Sequence, residues 1–154
     1  MRKVLNTETM PLEFTESYGK DASTLYLGAA SGSEKIYVNI DRIPPGAKSA
    51  KYHSHSRQEE FFLIMSGTGT LRMDGEERVV KKGDFVSKPA GKNIAHQFIN
   101  TGEEVLEILD VGTNEQGDIA YYPDENVYLI RGTGLAFQKD QALKNWDSDP
   151  NKEG

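Results

Sequence analysis

Apolar positions in this chain come in short runs separated by Gly, Pro, Asn and Asp. Residues 24–28, TLYLG, read as a short strand. In 35–43, KIYVNIDRI, the residues Ile36, Val38 and Ile40 share one face, and this period of two predicts a half-buried strand. Pro44-Pro45-Gly46 closes it with a turn. The run EFFLIM (60–65) predicts another strand. TLRM (70–73) and ERVV (77–80) flank Asp74-Gly75, the pairing that marks a tight hairpin. FVSKPAG, AHQFIN and VLEILDV follow, with turn residues between them. Strands spaced about 8–12 residues apart, with no long helix among them, are the pattern of an antiparallel sandwich or barrel.

After this core the signal weakens. Residues 112–126 read as a long polar loop and NVYLIRG (126–132) as a last strand. QKDQALKNW (138–146) is compatible with one or two helical turns, with Leu143 and Trp146 on a shared face capping apolar surface. The final DSDPNKEG reads as a disordered polar tail. No internal repeat interrupts the chain, so one domain is expected, divided into an N-terminal strand or arm (1–34), a core barrel (35–112) and a C-terminal loop, last strand and tail (113–154).

Composition narrows the function. The 154 residues carry a net charge of −6 and no basic patch, which argues against a nucleic-acid partner. No apolar run approaches a membrane span, and no apolar segment of a signal peptide follows MRKVLNTETM, so a cytoplasmic protein is expected. With no cysteine, disulfides, thiol catalysis and thiolate metal sites are excluded.

The candidate chemistry lies in the histidines, of which there are only three. Two stand in YHSHSRQEE (52–60), and on an extended chain His53 and His55 point to the same side. The third, His96, opens the strand AHQFIN. A carboxylate follows at Glu60, or at its rival Glu59, which keeps strict alternation with the histidines; Glu60 joins them only if the chain bends at Ser56–Glu59. Three imidazoles and one carboxylate suit one divalent transition metal, Mn, Fe, Co, Ni, Cu or Zn. They leave positions open for water or substrate, as catalytic sites do.

The spacing resembles the two motifs of the cupin family. The first reads Gly46, AKSAKY, His53-Ser54-His55, SRQE, Glu60, FFLIMS, Gly67. The second reads Gly83, DFVSK, Pro89-Ala90-Gly91, KNIA, His96, QFI, Asn100, with a gap before the histidine longer than the family's usual two residues. The resemblance implies an all-β fold, a double-stranded β-helix or jelly-roll barrel of antiparallel strands with a short C-terminal extension. It also implies a metal held inside by His53, His55, Glu60 and His96, with Glu60 preferred over Glu59, and a homodimer. Phe62, Ile64, Phe98 and Met73 are expected to face inward, most of the stripe as core and the rest as an apolar pocket wall, and Asn100 to bond at a strand end. Tyr52, Arg57, Lys88 and Gln97 are expected at the rim or surface.

Two functions follow. One is a metal-dependent enzyme acting on a small molecule, by oxygenase-type chemistry or by sugar or keto-acid isomerase-type chemistry. The Phe-rich strands fit an oxygenase slightly better, because no cation near the motifs is evidently placed for a sugar phosphate. The other is a non-enzymatic small-molecule-binding or sensor cupin.

Overall fold

Strand pairing in the computed structural model, which describes residues 3–152, follows the turn residues closely. The largest sheet has six strands in the order β1–β2–β3–β10–β5–β8. These are β1 Thr15–Tyr18, β2 Ala22–Tyr26, β3 Ile36–Ile43, β5 Glu60–Ser66, β8 Phe85–Lys88 and β10 Leu106–Thr113. A second sheet, β7–β6–β9, is made of β6 Thr68–Met73, β7 Glu76–Lys81 and β9 His96–Ile99. A third, β13–β12–β11–β4, is made of β4 Ser54–His55, β11 Ile119–Tyr122, β12 Val127–Ile130 and β13 Leu135–Gln138. All pairings are antiparallel. This is the all-β jelly-roll architecture expected. Among the described residues, the α-helix is a single short one, α1 (Leu27–Ser31).

Local chemistry explains the connections. Asp74 and Gly75 both take positive φ, 51° and 79°, which is the twist a two-residue hairpin between β6 and β7 requires. Between the six- and three-stranded sheets sits a core centred on Phe62, Ile64, Phe98, Leu106 and Ile108, each at most 3% exposed. Met73 packs against that core, and Asn100 does bond at a strand end, donating to the Ile43 and Glu104 carbonyls.

Two expectations are corrected. Residues 112–126 are not one loop, because β11 forms within them and pairs with β4. Residues 138–146 carry only a 3-10 turn, Lys139–Gln141, following β13, and Leu143 and Trp146 are 76% and 79% exposed, so they cap nothing. A segment this short gains too few helical hydrogen bonds to offset nucleation without a surface to pack on. Of the polar tail, residues 153 and 154 lie outside the described residues.

β3 forms as expected, half-buried and with Ile36, Val38 and Ile40 on one face, and the structure adds which face is inside. Register places Tyr37, Asn39 and Asp41 opposite Gly112, Asp110 and Ile108 of β10. The polar residues of KIYVNIDRI therefore face the barrel interior. Ile36, Val38 and Ile40 belong to the other face, where Ile40 is covered beside Leu25 but Ile36 is 42% exposed.

Candidate metal centre

His53, Glu60 and His96 converge on one buried point, with ligand atoms all within 4.8 Å of one another. Three elements bring them there. β4 carries Ser54–His55 and pairs with β11, while β5 begins at Glu60 and pairs with β10 and β8. The chain thus changes sheets between His55 and Glu60, and the irregular residues 56–59 are the bend that turns Glu60 inward. Glu59 is exposed, with its backbone N–H bonded to the Thr113 hydroxyl, and stays outside the cluster. His96 enters through a bridge in which His53 and His96 exchange backbone hydrogen bonds of 3.3 and 3.0 Å.

The imidazoles are held from behind. His53 Nδ1 lies 2.6 Å from the Lys51 carbonyl, so Nδ1 donates and Nε2 keeps its lone pair for the interior. The Tyr122 ring stacks on His53 at 5.5 Å. His55 stands beside the cluster, its Nε2 3.5 Å from Glu60 Oε1 and its Nδ1 2.6 Å from Asp118 Oδ2. Burial, then the nearby Lys88 charge, lowers His53 to about 4 and holds His96 well below its usual range, so both rings are neutral at pH 7. Burial would raise the Glu60 carboxyl, but the Lys88 ammonium 2.6 Å from it opposes this and holds it below the ordinary range.

Lys88, expected at the rim or surface, is instead 1% exposed. Its Nζ lies 2.6 Å from Glu60 Oε2 and 2.7 Å from His96 Nδ1. The reason is register: Lys88 is the direct cross-strand partner of Glu60 on the inward face. Burial lowers the Lys88 ammonium, although Glu60 opposes the shift. Of the other neighbours placed at the rim, Tyr52 and Gln97 are also buried, whereas Arg57 is exposed.

The donor set fits a divalent cation. Two neutral imidazoles and an ionised carboxylate are the ligands that first-row metals accept. Glu60 Oε2 is buried and, for all its closeness to Lys88, has no hydrogen bond of proper geometry. A carboxylate oxygen left in that state gains from a cation.

Beside the cluster opens a cavity of about 400 Å³. Phe62 and Phe98 line part of it, but Tyr37, Asn39, Asp41 and Asp110 line much of the rest, so the pocket is more polar than the sequence led us to expect. The Tyr37 ring crosses β10 at Gly112, where a Cβ would come within 2.5–2.6 Å of ring atoms. Its hydroxyl reaches Glu60 Oε1 and Asp110 Oδ1, both at 2.9 Å. One phenolic proton cannot serve two carboxylates, so the second contact needs a proton from the acid. Burial and the charge of Asp41 push Asp110 well above its ordinary range, and burial pushes Asp41 up to about 6 despite a 2.6 Å hydrogen bond from Thr24. The sequence did carry a signal for this wall, namely polar residues at every second position of an otherwise apolar strand.

A jelly-roll barrel with a buried His/Glu/His cluster able to chelate a divalent metal defines a class of small metal-binding barrels. The Cupin domain family model matches residues 39–112. A solved sugar phosphate isomerase from Silicibacter pomeroyi is 35% identical, covering 79% of this chain and 78% of its own with a TM-score of 0.73. A candidate sugar phosphate isomerase from Acidithiobacillus ferrooxidans is 30% identical, covering 82% and 81% with a TM-score of 0.76. The chain belongs to the cupin superfamily. An uncharacterised protein of Methanocaldococcus jannaschii is 36% identical over 67 residues, 44% of this chain, and the match spans about half (51%) of that relative's length. Among the described residues no helix is long and apolar enough to cross a membrane.

Proposed function

We propose that the chain is a metal-dependent isomerase of a sugar-like substrate, with His55 joining His53, Glu60 and His96 as the fourth ligand. The observation that carries this reading is the shared cavity, in which the metal cluster and a wall of paired carboxyls face the same space. The two sugar phosphate isomerases of the same fold support it.

When bound, the metal supplies a Lewis acid to a carbonyl and its neighbouring hydroxyl. The rest falls to the side chains. Asp41 and Asp110 act as a pair in which one carboxyl is ionised and the other keeps a proton. The ionised member takes the proton from the carbon next to the carbonyl. The C–H electron pair becomes the C=C bond of an enediol, and the carbonyl oxygen takes the proton of the acid member. The reverse steps at the neighbouring carbon complete an aldose–ketose interconversion with no oxidant. Tyr37 fixes Asp110 relative to Glu60, and Asn39 presents an amide to substrate hydroxyls. Arg131, exposed among the residues that line the cavity, is the cation available for a phosphate.

A homodimer is part of the proposal. Leu109, Leu63 and Phe85 form a cross-strand row on the outer face of the six-stranded sheet, continuing from Ile40, which the chain itself already buries. Phe85 is 72% exposed and stacks on Phe61, which is itself 37% exposed. A second copy of the chain would cover this face, and light scattering at micromolar concentration tests for the doubled mass.

The functional test begins with metal content, measured on protein purified without chelator or metal-affinity resin. The loaded protein is then incubated with aldose and ketose phosphates in D₂O and followed by NMR. About one metal per chain, together with deuterium at the carbon beside the carbonyl, is the expected result. Failure to take up metal on reconstitution refutes the metal site. Metal without exchange or interconversion leaves a small-molecule-binding or sensor protein.

A further inference from the structure

Asp118 lies beyond the stretch 39–112 that matches the family model, yet it reaches into the metal centre. It is 1% exposed, and both carboxylate oxygens are in use. Oδ2 accepts from His55 Nδ1 at 2.6 Å. Oδ1 accepts from the backbone N–H groups of Arg57 and Gln58 at 2.8 and 3.2 Å, and from the Ser56 hydroxyl at 3.3 Å. One carboxylate therefore gathers the bend between His55 and Glu60, the bend that aims both side chains inward. The strand that follows locks the arrangement: β11 pairs Ala120 with His55 and Tyr121 with Ser54, and Ile119 N–H donates to the Ser56 hydroxyl at 2.8 Å.

We infer that Asp118 is a positioning residue that fixes the Nδ1–H tautomer of His55 and the shape of the 56–59 bend, so that the metal-holding power of the site depends on the C-terminal strand β11. The inference rests on the proposal that His55 is a ligand. A carboxylate has no proton to give, so His55 must donate from Nδ1, and its Nε2 lone pair then accepts from the Gln58 side-chain amide at 3.4 Å, the same amide that donates to Glu60 Oε1 at 3.1 Å. Asparagine at this position has one acceptor oxygen. The backbone donors of Arg57 and Gln58 claim it, and the amide –NH₂ turns toward His55 Nδ1. That ring must then accept at Nδ1 and carry its proton on Nε2, where a metal needs the lone pair.

The test uses the full chain, wild type and Asp118→Asn, with Co(II) as the probe. Imidazole ¹H–¹⁵N NMR of the metal-free protein reads the tautomer directly. The expected results are Nδ1–H at His55 in wild type, Nε2–H in the variant, and Co(II) affinity about 10- to 100-fold weaker in the variant, read from the visible absorption of the bound ion. Circular dichroism checks that the variant is folded. If it is not, the wild-type tautomer alone decides, because Nε2–H at His55 in wild type overturns the inference. An unchanged tautomer in the variant, or Co(II) affinity within about twofold of wild type, overturns it as well. Should wild type bind no Co(II), the metal reading fails and the inference falls with it, whereas wild-type binding matched by the variant sinks only the role given to Asp118.

Discussion

Replacing Asp41 by Asn should make the metal-free protein more stable at neutral pH and remove part of its pH dependence. Asp41 lies on the inward face of β3, with Thr24 donating to it and Asp110 beside it. Burial, first, raises its folded-state value from 3.8 to about 6. A carboxyl whose folded pKa exceeds its unfolded one stabilises the fold fully only below the unfolded value. That stability is lost as pH rises through the folded value. The window is thus roughly pH 4 to 6, and the rise corresponds to about 3 kcal/mol at ~1.36 kcal/mol per unit. Asn keeps an oxygen for the Thr24 hydroxyl and has no charge to bury. Urea unfolding of chelator-treated wild type and Asp41→Asn at steps from pH 4 to 8 gives the difference directly. The two should lie within about 1 kcal/mol at pH 4 and separate by about 3 kcal/mol above pH 6, with the variant the more stable. At pH 7 this amounts to a melting temperature higher by about 6–12 °C for a chain of this size. His53 also titrates in this range, but it does so in both proteins and cancels in the difference, whereas Asp110, which the Asp41 charge raises, is relieved in the variant and adds to the difference in the same direction. A difference that does not change with pH, or a variant that weakens as pH rises, would refute the reasoning. The same substitution should abolish deuterium exchange into substrate, because it removes one member of the acid–base pair.

Two further changes probe the row of side chains across the sheet. Lys88→Met leaves the Glu60 carboxylate buried without its ion pair, and the metal-free protein should lose about 3–5 kcal/mol in urea unfolding. Adding a divalent metal, which supplies the missing positive charge, should recover most of that loss, and an unchanged metal-free stability would contradict the pairing. Gly112→Ala puts a Cβ against the Tyr37 ring and should cost about 1–3 kcal/mol by displacing it. In a double-mutant cycle with Tyr37→Leu the two costs should fall well short of additive, and full additivity would show that the ring does not depend on the gap at Gly112.

The sequence made local features legible and left distant pairings hidden. The β6–β7 hairpin could be read because Asp74-Gly75 encodes its own turn. His53 and His55 could be paired because their spacing puts them on one side of an extended chain, whereas Glu60 stands out over Glu59 only through the resemblance to the family motif. Lys88 could not be located, since its place beside Glu60 depends on the register between β5 and β8, which no local pattern records. Asp118 is 63 positions from His55, in a stretch whose Gly, Gln and Asp content reads as loop. There β11 has strand-forming residues, IAYY, but it is short and its polar flanks hide it in the sequence. β3 could be read as a half-buried strand, but its orientation could not. Alternation marks two faces but does not say which is inside, and the usual rule of apolar inward reverses where the interior is a reaction chamber.

That reversal ties the chemistry to the outer surface of the same sheet. Tyr37, Gly112, Glu60 and Lys88 form one continuous row across β3, β10, β5 and β8, with each residue opposite the next. A phenol, a gap, a carboxylate and an ammonium in line let the ring of the first cross the gap and reach the third. Asn39, Asp110 and Phe62 form the next row, and Asp41, Ile108 and Ile64 the one after it, so polar groups give way to apolar core with depth. Because side chains alternate, any strand that sends polar residues inward at these positions sends its neighbours outward. Those neighbours are Ile40, Leu109, Leu63, Val38, Val111 and Phe61. Had the inner face been wholly apolar, these strands could have carried polar residues outside and stood alone. With the interior near the metal given over to carboxyls and a lysine, the strands keep their β-forming apolar residues on the outside. Covering that face would recover burial that the chamber forgoes, so the proposed pairing of two chains would complement the polar chamber on the other side of the same strands.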